Sequence, residues 1–198
     1  MFSVNADDLQ FLFELTGQSV LINNVKRRVI ITNPKMSKKE ERYIHTLEGV
    51  LQGDIVTIGD EIFLTIGEST IKRQGKFKAK IRHCNYVIEV AGEIRTELKR
   101  DENGEIVRDK YGRPIEIQVQ GEPIQIPSIV DNDSFKIIGG QILVAENRII
   151  VTVQDNETNR NRFKVNGTFN LMDKNWKVKN QDRTLKGLLV LICEAVIS

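Results

Sequence analysis

The chain has 198 residues, 40% hydrophobic and 28% charged, enough for one large core or two small ones. Its 29 basic and 27 acidic residues nearly cancel at +2, which argues against a general nucleic-acid binder and leaves only local basic patches to consider. Two widely separated cysteines, Cys84 and Cys193, have neither metal-ligand spacing nor the density of a secreted disulfide framework, so both are expected as buried thiols.

The N-terminus lacks a basic segment followed by an apolar stretch, and no window reaches the length of a membrane span. The expectation is a soluble protein made in a reducing cytoplasm, with no membrane contact. A short helix is predicted over residues 6–16, with Asn5 as N-cap, Asp7 and Asp8 in the first turn and Gly17 as the stop. Leu9, Leu12 and Phe13 fall on one face, joined by Phe2, while Phe11 falls off it. That face either packs on the protein's own barrel or meets another subunit.

From Ser19 the pattern becomes that of strands. Residues 19–22 meet the Asn23-Asn24 turn, residues 29–31 follow, and Asn33-Pro34 ends that strand. Residues 35–42 are polar; Ser37 to Glu40 has capping-box spacing, but no apolar helix follows, so a surface loop is expected. Strands are then predicted near residues 43–47, 54–58, 62–66, 76–82 and 86–90, with Gly59-Asp60 linking the second to the third. Short antiparallel strands at such intervals suit a small barrel.

A hairpin unit appears twice. Aligned on Gly53 and Gly167, Ile55 matches Phe169, Ile58 matches Met172, Ile62 matches Trp176 and Leu64 matches Val178. These eight apolar residues are the predicted core. Each copy leads on to an apolar strand holding one of the cysteines. Between them, residues 93–126 are charged and turn-rich, with hairpin cues at Glu102-Asn103-Gly104 and Lys110-Tyr111-Gly112. This reads as a projecting arm, too polar on both faces for a core of its own. Pro123 and Pro127 punctuate a linker, and further strands are expected near 136–138, 141–145, 149–154, 162–165, 168–172, 176–180 and 186–195.

The fold class is therefore all-β, with two small barrel- or sandwich-like modules, a short N-terminal helix and a long β-hairpin arm. The boundaries are 1–16 for the helix, 17–92 for the first module, 93–127 for arm and linker, and 128–198 for the second module.

No catalytic signature emerges. His83 and Cys84 are adjacent on a strand and point to opposite faces, so they cannot form a nucleophile–base pair. Two histidines without a ligand cluster make no zinc motif, and Gly139-Gly140 lacks the rest of a phosphate-binding loop. Neither an enzyme nor a cofactor or metal is expected. Of three basic clusters (residues 26–28, 72–82 and 160–164), the middle one is densest. Lys76, Lys78, Lys80 and Arg82 recur with period two on one strand face, a candidate surface for DNA or an acidic partner, weighed against an ordinary solvated sheet face.

Gly53-Asp54-Ile55-Val56 through Phe63-Leu64-Thr65-Ile66, then Lys78-Ala79-Lys80-Ile81-Arg82-His83-Cys84-Asn85-Tyr86, resembles head–tail region proteins of tailed bacteriophages. Asn166-Gly167, Trp176-Lys177-Val178 and Gly187-Leu188 resemble the C-terminal part of the same proteins. The resemblance implies a virion component of the head-completion or head-closure (stopper) kind. Such a protein forms a homo-oligomeric ring, binds the portal or an adaptor on one side and tail-completion or tail-tube proteins on the other, and helps retain packaged DNA. The arm is the candidate assembly element: Ile106, Ile115, Ile117 and Val119 for apolar contact, Arg108 and Arg113 with Glu102 and Asp109 for register. It is expected to be mobile in the isolated protein and ordered in the ring. Its length, and the large second module, depart from the small stopper pattern. A tail or baseplate adaptor and a small-barrel nucleic-acid-binding module remain as alternatives, as does an exterior decorative role.

Overall fold

In a computed structural model that describes residues 6–34, 39–71, 75–132, 136–138, 141–143 and 147–196, the chain opens with helix α1 (Ala6–Thr16). Leu9 and Phe13 are buried, but Leu12 is exposed together with Phe11 and Leu15, so the buried face is narrower than the sequence suggested. The Gly17 amide donates to the Phe13 carbonyl at 2.9 Å. Arg28 donates to the Phe13 and Glu14 carbonyls at 3.0 and 2.6 Å, placing a cation at the negative end of the helix. Phe2, Asn5, Ser37, Gly139-Gly140 and the start of the middle basic cluster, Lys72 and Arg73, lie outside the described residues.

Seven strands follow: β1 (Gln18–Ile22), β2 (Val25–Thr32), β3 (Glu41–Thr46), β4 (Ile55–Ile58), β5 (Glu61–Thr65), β6 (Thr70–Ile71) and β7 (Phe77–His83). The turn between β1 and β2 has left-handed φ at both Asn23 (47°) and Asn24 (66°), the geometry that matches strand twist in a two-residue hairpin. Because β7 pairs with β3 along one edge and with β5 on the other, β1-β2-β3-β7-β5-β4 close into an antiparallel barrel. Closure leaves none of these six strands as an edge strand among the described residues, which removes a template for unwanted pairing. Val20, Ile22, Val29, Ile44, Val50, Val56, Phe63, Ala79 and Ile81 fill it.

The closed barrel has no edge left for β8 (Tyr86–Val90), which the sequence placed in the first module. It pairs instead within a second sheet ordered β15-β16-β17-β14-β11-β8. That sheet contains β11 (Ile124–Asn132), β14 (Arg148–Gln154), β15 (Thr168–Leu171), β16 (Lys174–Asp182) and β17 (Leu188–Ala195); β9 (Ile94–Leu98) with β10 (Glu116–Gln120), and β12 (Lys136–Ile138) with β13 (Gln141–Leu143), are separate pairs. The pairs Ile149/Cys193, Val151/Leu191 and Val153/Leu189 are buried cross-strand contacts. Residues 162–165 were expected as a strand. Instead the side chain of Asn156 accepts from the Asn159 amide and caps helix α2 (Glu157–Arg162), after which Phe163 packs edge-on against Phe169.

The repeated hairpin is real as structure, but its sequence alignment is off by one residue. Ile58 and Glu61 flank the β4–β5 turn as Leu171 and Lys174 flank the β15–β16 turn. Val56 and Phe63 are therefore the counterparts of Phe169 and Trp176. A one-residue slip exchanges the two faces of a strand. Hence Val56 and Phe63 fill the barrel core, Ile58 packs against it, and Ile55, Ile62 and Leu64 pack on the opposite side against Cys84, Ile129 and Leu188. Met172 is no core residue: it occupies the turn with φ 52° and is exposed.

Barrel and second sheet thus share one seam. Gly53 (φ 90°) and Gly187 (φ 83°) lie back to back there, in the turns before β4 and β17, and a Cβ on either would collide with the backbone of the other turn. Gln154 donates to the Gly53 carbonyl at 2.9 Å, and Arg82 grips Asp131 with two hydrogen bonds of 2.7 and 2.5 Å. Asn85 and the Val130 backbone exchange reciprocal bonds of 2.9 and 2.8 Å.

Candidate assembly surface

Residues 89–126 form a compact unit of their own. Its base is the β9–β10 hairpin, in register Leu98 to Glu116 through Ile94 to Gln120, and every residue of both strands is exposed. A two-stranded ribbon with no buried face is marginal on its own. What orders this one is backbone and turn chemistry. Lys99, Val107 and Ile115, spaced by eight, close a ring of hydrogen bonds: Lys99 donates to Ile115 (2.8 Å), Ile115 to Val107 (3.0 Å) and Val107 to Lys99 (2.8 Å).

Two near-identical turns lie at the corners. In the first, Asp101 Oδ1 accepts from the Asn103 and Glu105 amides, Arg100 donates to the Gly104 carbonyl, and Gly104 takes φ 83°. In the second, Asp109 Oδ1 accepts from Tyr111 and Arg113, Arg108 donates to Gly112, and Gly112 takes φ 79°. An aspartate side chain that bonds the amide two residues on imitates a backbone turn. The signal is present in the sequence as Arg-Asp-x-x-Gly at 100–104 and again at 108–112, one motif containing both hairpin cues.

The structure brings Ile115, Ile117 and Val119 to one face of the arm, where Val119 lies across from Arg95 and Ile117 from Glu97. Ile106 is in neither strand and lies at an isolated bridge with Arg100. Arg108 and Asp109 are held in their own turn, while the Arg113 and Glu102 side chains are exposed. Ile94 and Leu98, which are not among the expected contact residues, are exposed on the other face.

The basic strand reads differently in three dimensions. Lys78, Lys80 and Arg82 do share the outer face of β7, and each has an intramolecular counterpart. Lys80 Nζ is 2.7 Å from Glu41, Lys78 Nζ sits 3.8 Å above the Tyr43 ring, and Arg82 is paired with Asp131. Lys76 precedes the strand and is half-buried. The Arg82 guanidinium, with Lys39 beside it, holds the Asp131 carboxyl below the usual carboxylate range.

His83 Nδ1 lies 3.5 Å from Glu40 and its ring meets Phe63 edge-on, while His45 Nε2 is 3.1 Å from the Thr32 hydroxyl. Burial pushes the Cys84 and Cys193 thiols up to about 12, which keeps both protonated and unreactive at neutral pH. A shallow cleft of about 430 Å³ between α1 and the barrel is lined by Gln10, Lys26, Arg27, Thr46 and Leu47 among others, and Arg27 is paired there with Glu48 at 3.2 Å. Among the described residues no helix is long and apolar enough to cross a membrane.

The YomX N-terminal domain matches residues 1–83 and the YomX C-terminal domain residues 96–194. The chain belongs to the YomX family. That family is phage-derived, and the chain is a phage protein. The first YomX segment ends with β7, the strand that closes the barrel; the second begins inside β9 and runs into β17. No curated protein and no solved structure matches the chain.

Proposed function

We propose that this YomX-family protein is a non-enzymatic virion component of a tailed phage, assembled as a ring at the head–tail junction, where it links the portal side to the tail and helps retain DNA. The observation that carries the reading is the arm: a unit with every residue of both strands exposed, apolar side chains on both faces and turns ordered by their own aspartates. Apolar area of that kind gains free energy only when another surface covers it. The phage-derived family supports a virion setting, and the internal pairing of Lys78, Lys80 and Arg82 makes DNA binding through β7 the weaker alternative.

The test is to replace residues 94–120 by a short Gly-Ser turn. Both sheets are expected to fold, and particles are expected to fail head-to-tail joining or to leak DNA. Viable, DNA-retaining particles from that variant would overturn the assembly role. Gold labelling at the tail tip instead of the neck would move the protein to a tail or baseplate adaptor position.

A further inference from the structure

The outer edge of β9 carries a pattern that bears on what covers the arm. Glu93 and Lys99 both bond across to the β10 side, through Gly121 to Glu93 at 2.9 Å and Lys99 to Ile115 at 2.8 Å. Odd-numbered residues of β9 therefore direct their backbone groups to β10. The amides and carbonyls of Ile94, Thr96 and Leu98 point the other way, along an edge that pairs with no strand among the described residues.

The segment Ile94-Arg95-Thr96-Glu97-Leu98 is complementary to itself when reversed. Laid antiparallel against a second copy with Thr96 opposite Thr96, it sets Ile94 against Leu98 and Arg95 against Glu97, each twice. In that register the outward backbone groups of residues 94, 96 and 98 also face one another, so about six interchain hydrogen bonds form. Moving the centre by one residue in either direction opposes Arg95 to Arg95 or Glu97 to Glu97. Like charges directly opposite one another are unfavourable, so charge selects a single register. By contrast β10, reading Glu116-Ile117-Gln118-Val119-Gln120, has one charge and selects none.

We propose that β9 is a homotypic docking edge through which two copies of this chain pair antiparallel about a two-fold axis at Thr96. The inference rests on the arm being an assembly element and names its partner as a second copy. A two-fold contact is closed, so it couples subunits in pairs and does not by itself propagate a ring. On the paired face Ile94, Leu98 and their symmetry mates form one apolar strip with the two threonines at its centre. On the other face two Arg95–Glu97 pairs lie between the columns of Ile117 and Val119.

The full chain tests this by sedimentation over a concentration series, with Arg95→Glu and Glu97→Arg as single variants. The wild type is expected to dimerise, and each single variant to need at least tenfold more protein, because each opposes like charges at both ends. An equimolar mixture of the two single variants restores complementarity across the axis and is expected to recover wild-type association, as is the double variant. Thr96→Cys should give a disulfide-linked dimer on oxidation, since both native thiols are buried. These are exposed positions, so the folds of the variants are not at risk. A wild type that stays monomeric at every concentration, or a mixture that fails to recover, overturns the pairing. Particle joining lost on arm deletion but retained in Arg95→Glu overturns the two-fold edge alone; retention on deletion, with the Thr96→Cys crosslink formed, supports the edge and removes the neck role.

Discussion

The hairpins β4–β5 and β15–β16 both turn over two residues and both bury a large aromatic ring at the equivalent position, Phe63 in the first and Trp176 in the second, with Phe169 buried opposite Trp176 where the first has Val56. They differ in what lies on the far side. In β15–β16 the outward positions are Thr168, Asn170, Asn175 and Lys177, a solvated face of the kind antiparallel sheets commonly keep. In β4–β5 both faces are apolar: Val56, Ile58 and Phe63 serve the barrel while Ile55, Ile62 and Leu64 serve the seam. One hairpin unit thus ends a module in one copy and joins two modules in the other. The decisive difference is the set of residues between the core positions.

The largest effects should come from the two rings. Phe63→Ala and Trp176→Ala are each expected to lower stability by about 3–5 kcal/mol in urea unfolding. Trp176 is the sole tryptophan, is buried and donates to the Leu171 carbonyl at 2.9 Å, so its fluorescence reports on the second sheet. If β4–β5 couples the modules, Phe63→Ala should lower the fluorescence midpoint together with the far-UV midpoint. Separate midpoints would show that the seam is passive and would undo the contrast between the two hairpins.

Gly187→Ala comes next. It introduces a left-handed alanine that also collides with the Gln52 carbonyl, whereas Gly59→Ala carries a similar φ (59°) with nothing within 4 Å. The open site should cost about 1 kcal/mol, the cost of the left-handed conformation alone. Gly187→Ala should cost about 2 kcal/mol or more, and the excess measures the close approach at the seam. Equal losses would mean that the two turns separate easily.

The sequence made the strands and the barrel readable because alternation is strict where one face is wet: Thr168-Phe169-Asn170-Leu171 could be assigned at sight. It misled where both faces are buried. Ile55-Val56-Thr57-Ile58 and Ile62-Phe63-Leu64 have apolar residues in both phases, so aligning on glycines rather than on turns slipped the register: Leu64 is buried core as expected, but in the seam cluster, while Val56 and Phe63 of the barrel core were missed. Sheet membership of β8 was hidden for a different reason: it depends on β7 closing the barrel, which no local pattern states. In the arm the sequence shows the two hairpin cues and the polarity of both faces, but the Arg-Asp-x-x-Gly turn repeats across them, and the complementarity of β9 lies in pairing with a second copy, which no pattern within one chain states.

Across the seam, Asp131→Asn should cost about 1–2 kcal/mol at pH 7, because Arg82 is left half-buried without its counter-charge. The Asp131 carboxyl titrates below its ordinary value of 3.8 when folded. Its stabilisation is therefore fully present above the ordinary carboxylate range and is lost as pH falls through the lower folded value. The gap between wild type and Asp131→Asn should be constant from neutral pH down to the ordinary carboxylate range, then narrow below it. A gap unchanged into strong acid would mean that the ion pair contributes nothing.

The smallest effect should be a gain. Met172 and Asp173 hold φ of 52° and 56° in the β15–β16 turn, whereas the β4–β5 turn needs left-handed φ only at Gly59. A methionine side chain in that region crowds the following carbonyl oxygen, a cost that asparagine offsets in part by bonding locally and that glycine avoids. Because Met172 is exposed, its side chain contributes no core packing that a replacement would forfeit. Met172→Asn should therefore raise stability by about 0.5–1 kcal/mol in urea unfolding, with the Trp176 signal unchanged at its native end. The same change at Gly59 should lower stability, because the site is already relieved. A loss at both positions would show that Met172 makes contacts in solution that tie the second hairpin to another surface, and the two hairpins would then be less different in use than their outer faces imply.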